Sequence, residues 1–225
     1  ADILHCHDQQ TALIAAYLRK FYRRGNIFKT TGLVFTIHNL GYQGLFPREV
    51  MTRAGFNDAE FYPTSPFEFY GAFNFMKVGI TYADLITTVS PTYGREIQES
   101  REYGYGLEGV LRERSRDVAG ILNGIDDRAW DPATDPLIPL NYSATNLAGK
   151  AEDGRALLSE FGLDPSRQDW PVLAMISRID VQKGFDLLVT ILDSLLAENL
   201  YFVLLGTGNK ETEEYLRSVG DRHPG

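Results

Sequence analysis

The amino-acid sequence predicts an α/β protein that is built on parallel sheets and divided into two domains. Short apolar runs typical of buried parallel strands recur along the chain, with helical segments between them. One proline-rich segment interrupts this alternation. Strands that alternate with helices imply parallel sheets with right-handed crossover connections. The predicted strands are residues 2–4, 33–37, 85–89, 120–122, 172–176 and 202–205.

Amphipathic helices are predicted between these strands. One covers residues 11–21 and another follows the fifth strand, and their apolar faces indicate core packing rather than a ligand role. Ser90 followed by Pro91 is typical of a helix start, with Ser90 as the N-cap. The first apolar face is Leu13, Ala16, Tyr17 and Phe21, and the second is Phe185, Leu188, Val189, Leu192, Leu195 and Leu196.

A connector between the two domains is predicted over residues 131–151. This segment contains three prolines and has little apolar periodicity. A helix is expected at residues 151–161, and the strand–helix alternation then begins again. Since Asn123-Gly124 precedes the connector, we expect a hinge there and domains at residues 1–122 and 123–225.

Composition limits the classes of function. The chain has 225 residues and a net charge of −8, which argues against a general nucleic-acid binder or a membrane-surface binder. Cys6 is the only cysteine, so an intrachain disulfide framework is excluded and a reducing cytoplasm is favoured. The sequence begins at Ala1 without a methionine and stops just after a helical segment. We therefore expect an internal fragment in which both domains are incomplete.

The segment of residues 177–184 carries the strongest chemical signal. It follows an apolar strand, so it lies where α/β folds bind ligands, at the carboxyl end of that strand. Arg178 and Lys183 stand five residues apart in it, and Gly184 precedes an amphipathic helix. Two permanent cations in this position suit an anion such as a diphosphate. The alternative is a solvated loop with two surface cations.

A second polar segment is His5-Cys6-His7-Asp8, after the first predicted strand. The His-x-His-Asp pattern could hold a metal, but alternate residues of a strand face the same way only in pairs, and no third ligand set is evident. Asp8 precedes a helix, so it could be an N-cap. It could also accept a hydrogen bond from a sugar hydroxyl. The residues leave these alternatives open.

Three further segments follow predicted strands. His38 and Asn39 come directly after the second strand, with glycines nearby that allow close approach of a ligand. Asn123 lies at the presumed hinge, either in a simple turn or facing a ligand cleft. Gly206 and Gly208 follow the last strand and could admit a phosphate or nucleotide, although the full dinucleotide fingerprint is missing.

Taken in order, these segments resemble bacterial glycogen synthase and plant starch synthase, a family of retaining glucosyltransferases with the GT-B architecture. Each run alone is weak, whereas the ordered set is highly specific and extends over nearly the whole chain. The matching runs are residues 5–8, 35–44, 83–93, 105–109, 121–126 and 177–184.

The resemblance implies two facing Rossmann-like domains with ADP-glucose in the cleft. Residues 1–122 would belong to the acceptor-side domain, and residues 123–225 would form the hinge and the first part of the nucleotide-sugar domain. The enzyme would transfer glucose to the non-reducing end of an α-1,4-glucan, such as glycogen, with retention of configuration. No metal, cofactor, nucleic acid or membrane is expected. The resemblance favours a bacterial cytoplasmic protein over a plastid one.

The resemblance also implies roles for individual residues. Arg178 and Lys183 would hold the donor diphosphate, and His38 would contact the donor glucose near the reacting carbon. The sugar-binding and nucleotide-binding residues would be Asp8, Asn123, Gly206 and Gly208.

Two departures from the family pattern bear on function. Gln9 stands where the family usually has tryptophan, which puts sugar stacking at that position in doubt. The Lys-x-Gly-Gly-Leu loop and the paired glutamates of the family are absent from these residues, so the 225-residue chain alone should be inactive. The alternatives are another GT-B glycosyltransferase, a phosphorylase-like enzyme, or a non-catalytic glucan-binding relative.

Overall fold

The computed structural model divides the chain into two compact units, Ala1–Ile125 and Asp126–Gly225. The structure describes residues 1–25, 27–167 and 169–223. The boundary between the units follows Ile125, three residues beyond the boundary predicted at 122/123. Among the described residues, none of the helices has both the length and the apolar character needed to cross a membrane.

The first unit is organised on a four-stranded parallel sheet with the strand order β1-β2-β6-β7. This confirms the predicted α/β class. Its elements are β1 (Ile3–His7), α1 (Asp8–Thr11), α2 (Leu13–Tyr17), a π-helical turn (Leu18–Tyr22), β2 (Gly32–Ile37), β3 (Leu45–Phe46), α3 (Glu49–Arg53), a 3₁₀ helix (Asp58–Glu60), β4 (Glu68–Phe69), β5 (Ala72–Asn74), α4 (Phe75–Tyr82), β6 (Leu85–Thr88), α5 (Pro91–Glu99), α6 (Arg101–Gly104), α7 (Glu108–Glu113), a second 3₁₀ helix (Ser115–Asp117) and β7 (Val118–Gly120).

The outer strands of this sheet differ from their predicted positions. β1 continues to His7 because residues 5–7 pair with residues 34–36 of β2. β7 covers Val118–Gly120 instead of residues 120–122, since its pairing with β6 ends at Thr88. The side chains of Ile121 and Leu122 are consequently exposed rather than buried in a strand.

The first helical region begins at Asp8 instead of Thr11 and is broken into α1, α2 and the π-helical turn. Small side chains make its closest contacts with the core, because Ala12, Ala15 and Ala16 are fully buried. Phe21, predicted on the apolar face, is 49% exposed. At α5 the predicted N-cap is confirmed, since the Ser90 side chain accepts a hydrogen bond from Tyr93 N.

A small antiparallel sheet with the order β3-β5-β4 was not predicted. Its strands have two or three residues each, too few to show a period of two. An aromatic cluster that includes Phe56, Phe67 and Phe73 supports it. This cluster adds a second region of core beside the one that covers the parallel sheet.

The second unit contains the parallel pair β8 and β9, in which Val172–Ile176 faces Tyr201–Leu205 in register. The strand predicted at 172–176 is confirmed without change, and the helix predicted at 151–161 begins three residues earlier, at Ala148. The elements are α8 (Ala148–Glu160), β8 (Val172–Ile176), a 3₁₀ helix (Val181–Lys183), α9 (Phe185–Leu195), β9 (Tyr201–Leu205) and α10 (Lys210–Arg222).

Candidate functional site

The carboxyl end of β1 carries two histidines on one face of the sheet. Because side chains alternate along a strand, His5 and His7 point to the same side, and their ring centroids are 4.2 Å apart. His5 Nε2 is 2.6 Å from Thr36 Oγ1 on the neighbouring strand β2, and Thr36 Oγ1 is 2.6 Å from Thr87 Oγ1 on β6. The sheet therefore holds the first imidazole through a chain of hydroxyl groups.

His38 joins this group at the end of β2. Its Nε2 lies 3.0 Å from His7 Nδ1, and its backbone N–H donates to Asp8 Oδ1 at 2.8 Å. The structure thus brings together Asp8 and His38, two of the predicted site residues, and adds His7. Since the Asp8 carboxylate bonds to another segment, and α1 begins at Asp8 with no side-chain cap, the N-cap alternative for Asp8 is wrong.

The pKa of His7 lies below its ordinary value of 6.5. Partial desolvation is the largest cause, and repulsion by His5 and His38 adds to it, whereas Asp8 acts in the opposite direction. In the contact between the His7 and His38 rings, the tautomer decides which ring nitrogen donates and which accepts.

The His-x-His-Asp pattern does not form a metal-binding geometry. No group of three or more histidine, cysteine or acidic side chains is arranged to hold a metal ion in residues 1–25, 27–167 and 169–223. Cys6 points away from the histidines into the core, where burial raises the pKa of its thiol despite a hydrogen bond to Thr11.

The loop after β2 is fixed by a hydrogen bond within it, by a hydrogen bond to α5 and by a close contact with Gln9. Asn39 Oδ1 accepts a hydrogen bond from Gly41 N at 2.9 Å, and Leu40 N donates to Tyr93 Oη at 2.9 Å. Gln9 lies against Gly44, where a β-carbon would overlap its side-chain amide. Gln9 therefore fits closely beside a glycine that has a φ of +65°.

In the second unit, Arg178 and Lys183 lie on the loop that follows β8. Both side chains are exposed, while Ile179 between them is buried and anchors the loop. Neither cation forms an ion pair with any carboxylate in the part of the chain that the structure describes. The loop ends in a short 3₁₀ helix followed by Gly184, whose φ of +78° allows α9 to begin at Phe185.

The glycine-containing loop after β9 lies directly against this cationic loop. Ile179 N donates to Thr207 O at 2.9 Å, and Asn209 N donates to Ile179 O at 3.0 Å. A β-carbon at Gly206 would overlap the carbonyl oxygen of Ser177, and one at Gly208 would overlap that of Ile179. The two glycines are therefore required for the close approach of the two loops, in addition to any role toward a ligand.

Asn123 is exposed and lies outside regular secondary structure. It makes no hydrogen bond to another residue in the described ranges, so the structure does not group it with Asp8 and His38. The site residues fall into two sets, Asp8 and His38 in the first unit and Arg178, Lys183, Gly206 and Gly208 in the second.

Sequence reasoning missed His7 as a partner of His38. The signal was present, because period-two alternation places His5 and His7 on one face, beside the strand that ends at His38. From the sequence, we weighed a metal site for the pattern, and an N-cap or a sugar-binding role for Asp8, but no contact with His38. Tyr93 was also missed, since its hydroxyl reaches the His38 loop from α5, a contact without any local signature.

A cationic loop and a glycine loop at the carboxyl ends of adjacent parallel strands place the chain among the α/β folds that bind ligands at that edge, and comparison with solved structures places it in the class of GT-B glycosyltransferases. Residues 1–113 match the family described as the starch synthase catalytic domain. The chain belongs to the family of starch synthase catalytic domains, which confirms the resemblance found in the sequence.

Individual relatives agree with this assignment. The chain is 48% identical over 223 residues to glycogen synthases of Koribacter versatilis and Thermotoga maritima, covering 99% of this chain and 45% of each relative. It is also similar to the catalytic domain of starch synthase IV from Arabidopsis thaliana bound to ADP and acarbose, with a TM-score of 0.88 and 32% identity. That match covers 98% of this chain and 45% of the other. The chain spans a little under half the length of the relatives it matches.

Proposed function

We propose that the complete protein carrying this chain is a glycogen (starch) synthase. It transfers glucose from ADP-glucose to the non-reducing end of an α-1,4-glucan with retention of configuration. The exposed Arg178 and Lys183, free of carboxylate partners among the described residues and held against the glycine loop, are the observation that carries the proposal. Relatives named glycogen synthase, and a starch synthase bound to ADP, support it.

In this mechanism the cationic loop acts on the leaving group. As the bond between the glucosyl carbon and the diphosphate breaks, negative charge grows on the phosphate oxygens. Arg178 and Lys183 stabilise that charge, and their guanidinium and ammonium groups are fixed cations that need no metal ion. Gly206 and Gly208 let the glycine loop lie directly against the cationic loop, and the nucleotide binds beside the two loops.

The residues of the first unit act on the sugars. His38, fixed by Asp8 through its backbone and by His7 through its ring, contacts the donor glucose near the reacting carbon. Asp8 and Asn123 bind hydroxyl groups of the donor or acceptor. A loose, oxocarbenium-like transition state depends on positioning more than on a strong base, so the rigidity of the His38 loop contributes to the rate.

We place the protein in the bacterial cytoplasm, with ADP-glucose and glycogen as its partners and no nucleic acid or membrane. The bacterial glycogen synthases among its relatives support this placement over a plastid. Two experimental results would each indicate a different function. Transfer from UDP-glucose alone would indicate another donor, and glucan binding without transfer would indicate a non-catalytic relative.

The diphosphate assignment is tested by Lys183→Ala in the complete protein. The rate of glucose transfer from ADP-glucose should fall by about 100-fold or more, because one fixed stabiliser of transition-state charge is lost. Lys150→Ala is the matched control, since Lys150 is an exposed lysine of the same unit that lies over the Tyr142 ring. Unchanged turnover in Lys183→Ala, with a normal circular dichroism spectrum, would contradict the assignment.

A further inference from the structure

Two tyrosine–glycine pairs in the first unit share an unusual backbone conformation. Tyr70 and Gly71 have φ values of +48° and +83°, and Tyr105 and Gly106 have values of +49° and +88°. Glycine adopts this region freely, but a bulky side chain does so rarely and at a cost in free energy. The same costly arrangement therefore occurs twice, at two tyrosines.

The Tyr70 turn joins β4 to β5 and is held by a single glutamate. Glu68 Oε1 accepts a hydrogen bond from Gly71 N at 2.8 Å, and its Oε2 accepts one from Thr64 N at 3.2 Å. The Glu68 carbonyl accepts a further bond from Lys77 Nζ at 2.7 Å. A strained turn persists where its surroundings fix it in this way.

The Tyr105 turn is held by the buried amide of Gln43. Tyr105 N donates to Arg101 O at 2.9 Å, and Tyr105 O accepts from Gln43 Nε2 at 3.0 Å. Gln43 Oε1 in turn accepts from the fully buried Asn74 Nδ2 at 2.6 Å. Hydrogen bonds that begin at a buried residue therefore fix the left-handed conformation of Tyr105.

The two pairs lie side by side. A β-carbon on Gly106 would stand 2.9 Å from Phe69 Cζ and 3.5 Å from Tyr70 Cε2, so the hairpin tip rests on the Tyr105 turn. Phe69 supports Tyr70 edge-on, with 4.7 Å between ring centroids. The close approach explains why glycine follows Tyr105.

The Tyr105 turn also contacts the loop that follows His38 in the candidate site. The Tyr105 ring lies over Gly41, whose β-carbon position is 3.4 Å from Tyr105 Cζ and 3.1 Å from Asn39 Oδ1. Asn39 directly follows His38. A ligand that extends from His38 along this loop would therefore reach the Tyr105 ring and then Tyr70.

Core packing does not account for the two rings. Tyr70 is 78% exposed and Tyr105 is 50% exposed, so neither ring repays its backbone strain by burial. Strain that is fixed by surrounding structure and displays an exposed side chain is characteristic of binding sites. A tyrosine offers a large apolar face and one hydroxyl group at a low cost in conformational entropy.

We propose that Tyr70 and Tyr105 form a stacking platform for an α-glucan chain that extends from the His38 loop. The inference rests on the proposed function and deepens it, because it assigns residues to the acceptor beyond the reacting sugar. The faces of glucose rings carry C–H groups that pack on aromatic rings, and their edges carry hydroxyl groups that bond to phenol oxygens. An extended neutral glucan matches two adjacent uncharged rings.

The first test replaces each tyrosine with asparagine, which tolerates the left-handed region. In the complete protein, Tyr70→Asn and Tyr105→Asn should each weaken binding of maltoheptaose by about tenfold, equivalent to about 1.4 kcal/mol. The melting temperature should stay equal or rise, because the strain is relieved. The affinity for ADP should not change, and the KM for a disaccharide acceptor should change less than that for maltoheptaose.

Two further variants serve as controls. Tyr22→Ala removes a tyrosine that is 57% exposed and packs edge-on against Phe28, near the opposite end of the sheet, and it should leave maltoheptaose affinity unchanged. Tyr70→Trp keeps an aromatic face and should retain binding within about twofold.

A second measurement needs no variant. Nitration of tyrosines, read by mass spectrometry, should be slowed at Tyr70 and Tyr105 by a soluble glucan and should be unaffected at Tyr22. Maltoheptaose affinity unchanged from the parent in both asparagine variants, or nitration that is the same with and without glucan, would overturn the platform.

These readouts separate the inference from the proposed function. If the protein transfers no glucose from ADP-glucose, the binding and nitration experiments still decide whether the two rings hold a glucan. If it transfers glucose normally and both asparagine variants bind maltoheptaose as the parent does, the platform fails while the proposed function stands.

Discussion

At the scale of single residues, the ring of His7 lies between two other imidazoles, and this position controls its charge. His5 is 4.2 Å away by ring centroid, and His38 bonds to Nδ1. Because a proton on His7 would be partly desolvated and repelled by its neighbours, its pKa lies below 6.5. The site therefore favours the neutral form of the His7 imidazole.

We expect a titration of His7 by NMR to give a pKa below 6.5, and His5→Gln to raise that pKa by removing one repelling group. Since the folded-state pKa lies below that of the unfolded chain, the unfolded chain binds the proton more readily. The associated stability is present above about pH 6.5 and is lost as the pH falls from there through the folded-state pKa. A His7 pKa above 6.5 would contradict this arrangement.

The effect of replacing a helical glycine with alanine depends on what surrounds the glycine. Gly79 in α4 lies against the ring of Phe35 on β2, so a β-carbon there would overlap the ring. Gly109 in α7 faces open space. The same substitution should therefore have opposite effects at the two positions.

Gly79→Ala should destabilise the protein by about 1–3 kcal/mol, because a methyl group is forced into a packed core. Gly109→Ala should stabilise it by about 0.5–1 kcal/mol, since alanine favours the helix and meets no neighbour. Urea unfolding of both variants measures the difference. Equal effects would show that α4 does not pack on Phe35 as described.

At the scale of elements, Asp84 ties the first helical region to the start of β6. Its carboxylate accepts hydrogen bonds from Arg19, from Arg23 and from Leu33 N on β2. Burial opposes the charged form, but the Arg23 and Leu33 hydrogen bonds and the two guanidinium charges outweigh it and hold the pKa of Asp84 below its usual value. One side chain thus links three elements.

Asp84→Asn should lower the free energy of unfolding by about 1–3 kcal/mol, because charged hydrogen-bond partners are left unsatisfied. Asp58→Asn is the control, since the Arg48–Asp58 pair is exposed to solvent and should contribute little to stability. With its pKa depressed, Asp84 contributes stability above the unfolded value of 3.8, and that contribution is lost as the pH falls through the folded-state pKa. Thermal melts at pH 7 and at low pH measure both effects.

At the scale of the whole molecule, residues 121–130, which include the boundary of the two units, are all exposed. Trp130 is 79% exposed, in a segment built of turns. Trp170 is instead half-buried, with the Arg167 guanidinium 4.3 Å from its ring and the Tyr201 ring 5.4 Å away. The two tryptophans therefore differ sharply in access.

Limited digestion with chymotrypsin should cleave first at Trp130 and leave Trp170 intact, because proteases cut exposed, irregular segments. Mass spectrometry of the early fragments measures the order of cleavage. Early cleavage at Trp170 would contradict the packing of β9 against it.

The class of fold and most strands of the parallel sheets could be predicted from the sequence, because a buried strand needs a continuous apolar run. Residues 172–176 are such a run, and β8 has the same bounds, but three of its five side chains are exposed and none is buried. The short strands β3, β4 and β5 could not be predicted. They exist because aromatic residues distant in sequence, such as Phe56 and Phe73, pack together.

The sequence by itself also determined which loops contain the candidate site residues, since the residues at the carboxyl ends of parallel strands follow directly from the strand positions. Only the tertiary structure decided how those residues are held. The bond between His7 and His38 joins residues 31 positions apart, and the contact of Tyr70 with Gly106 joins two turns. Local sequence preferences determine the secondary structure of one segment. These contacts instead depend on which distant segments the fold brings together.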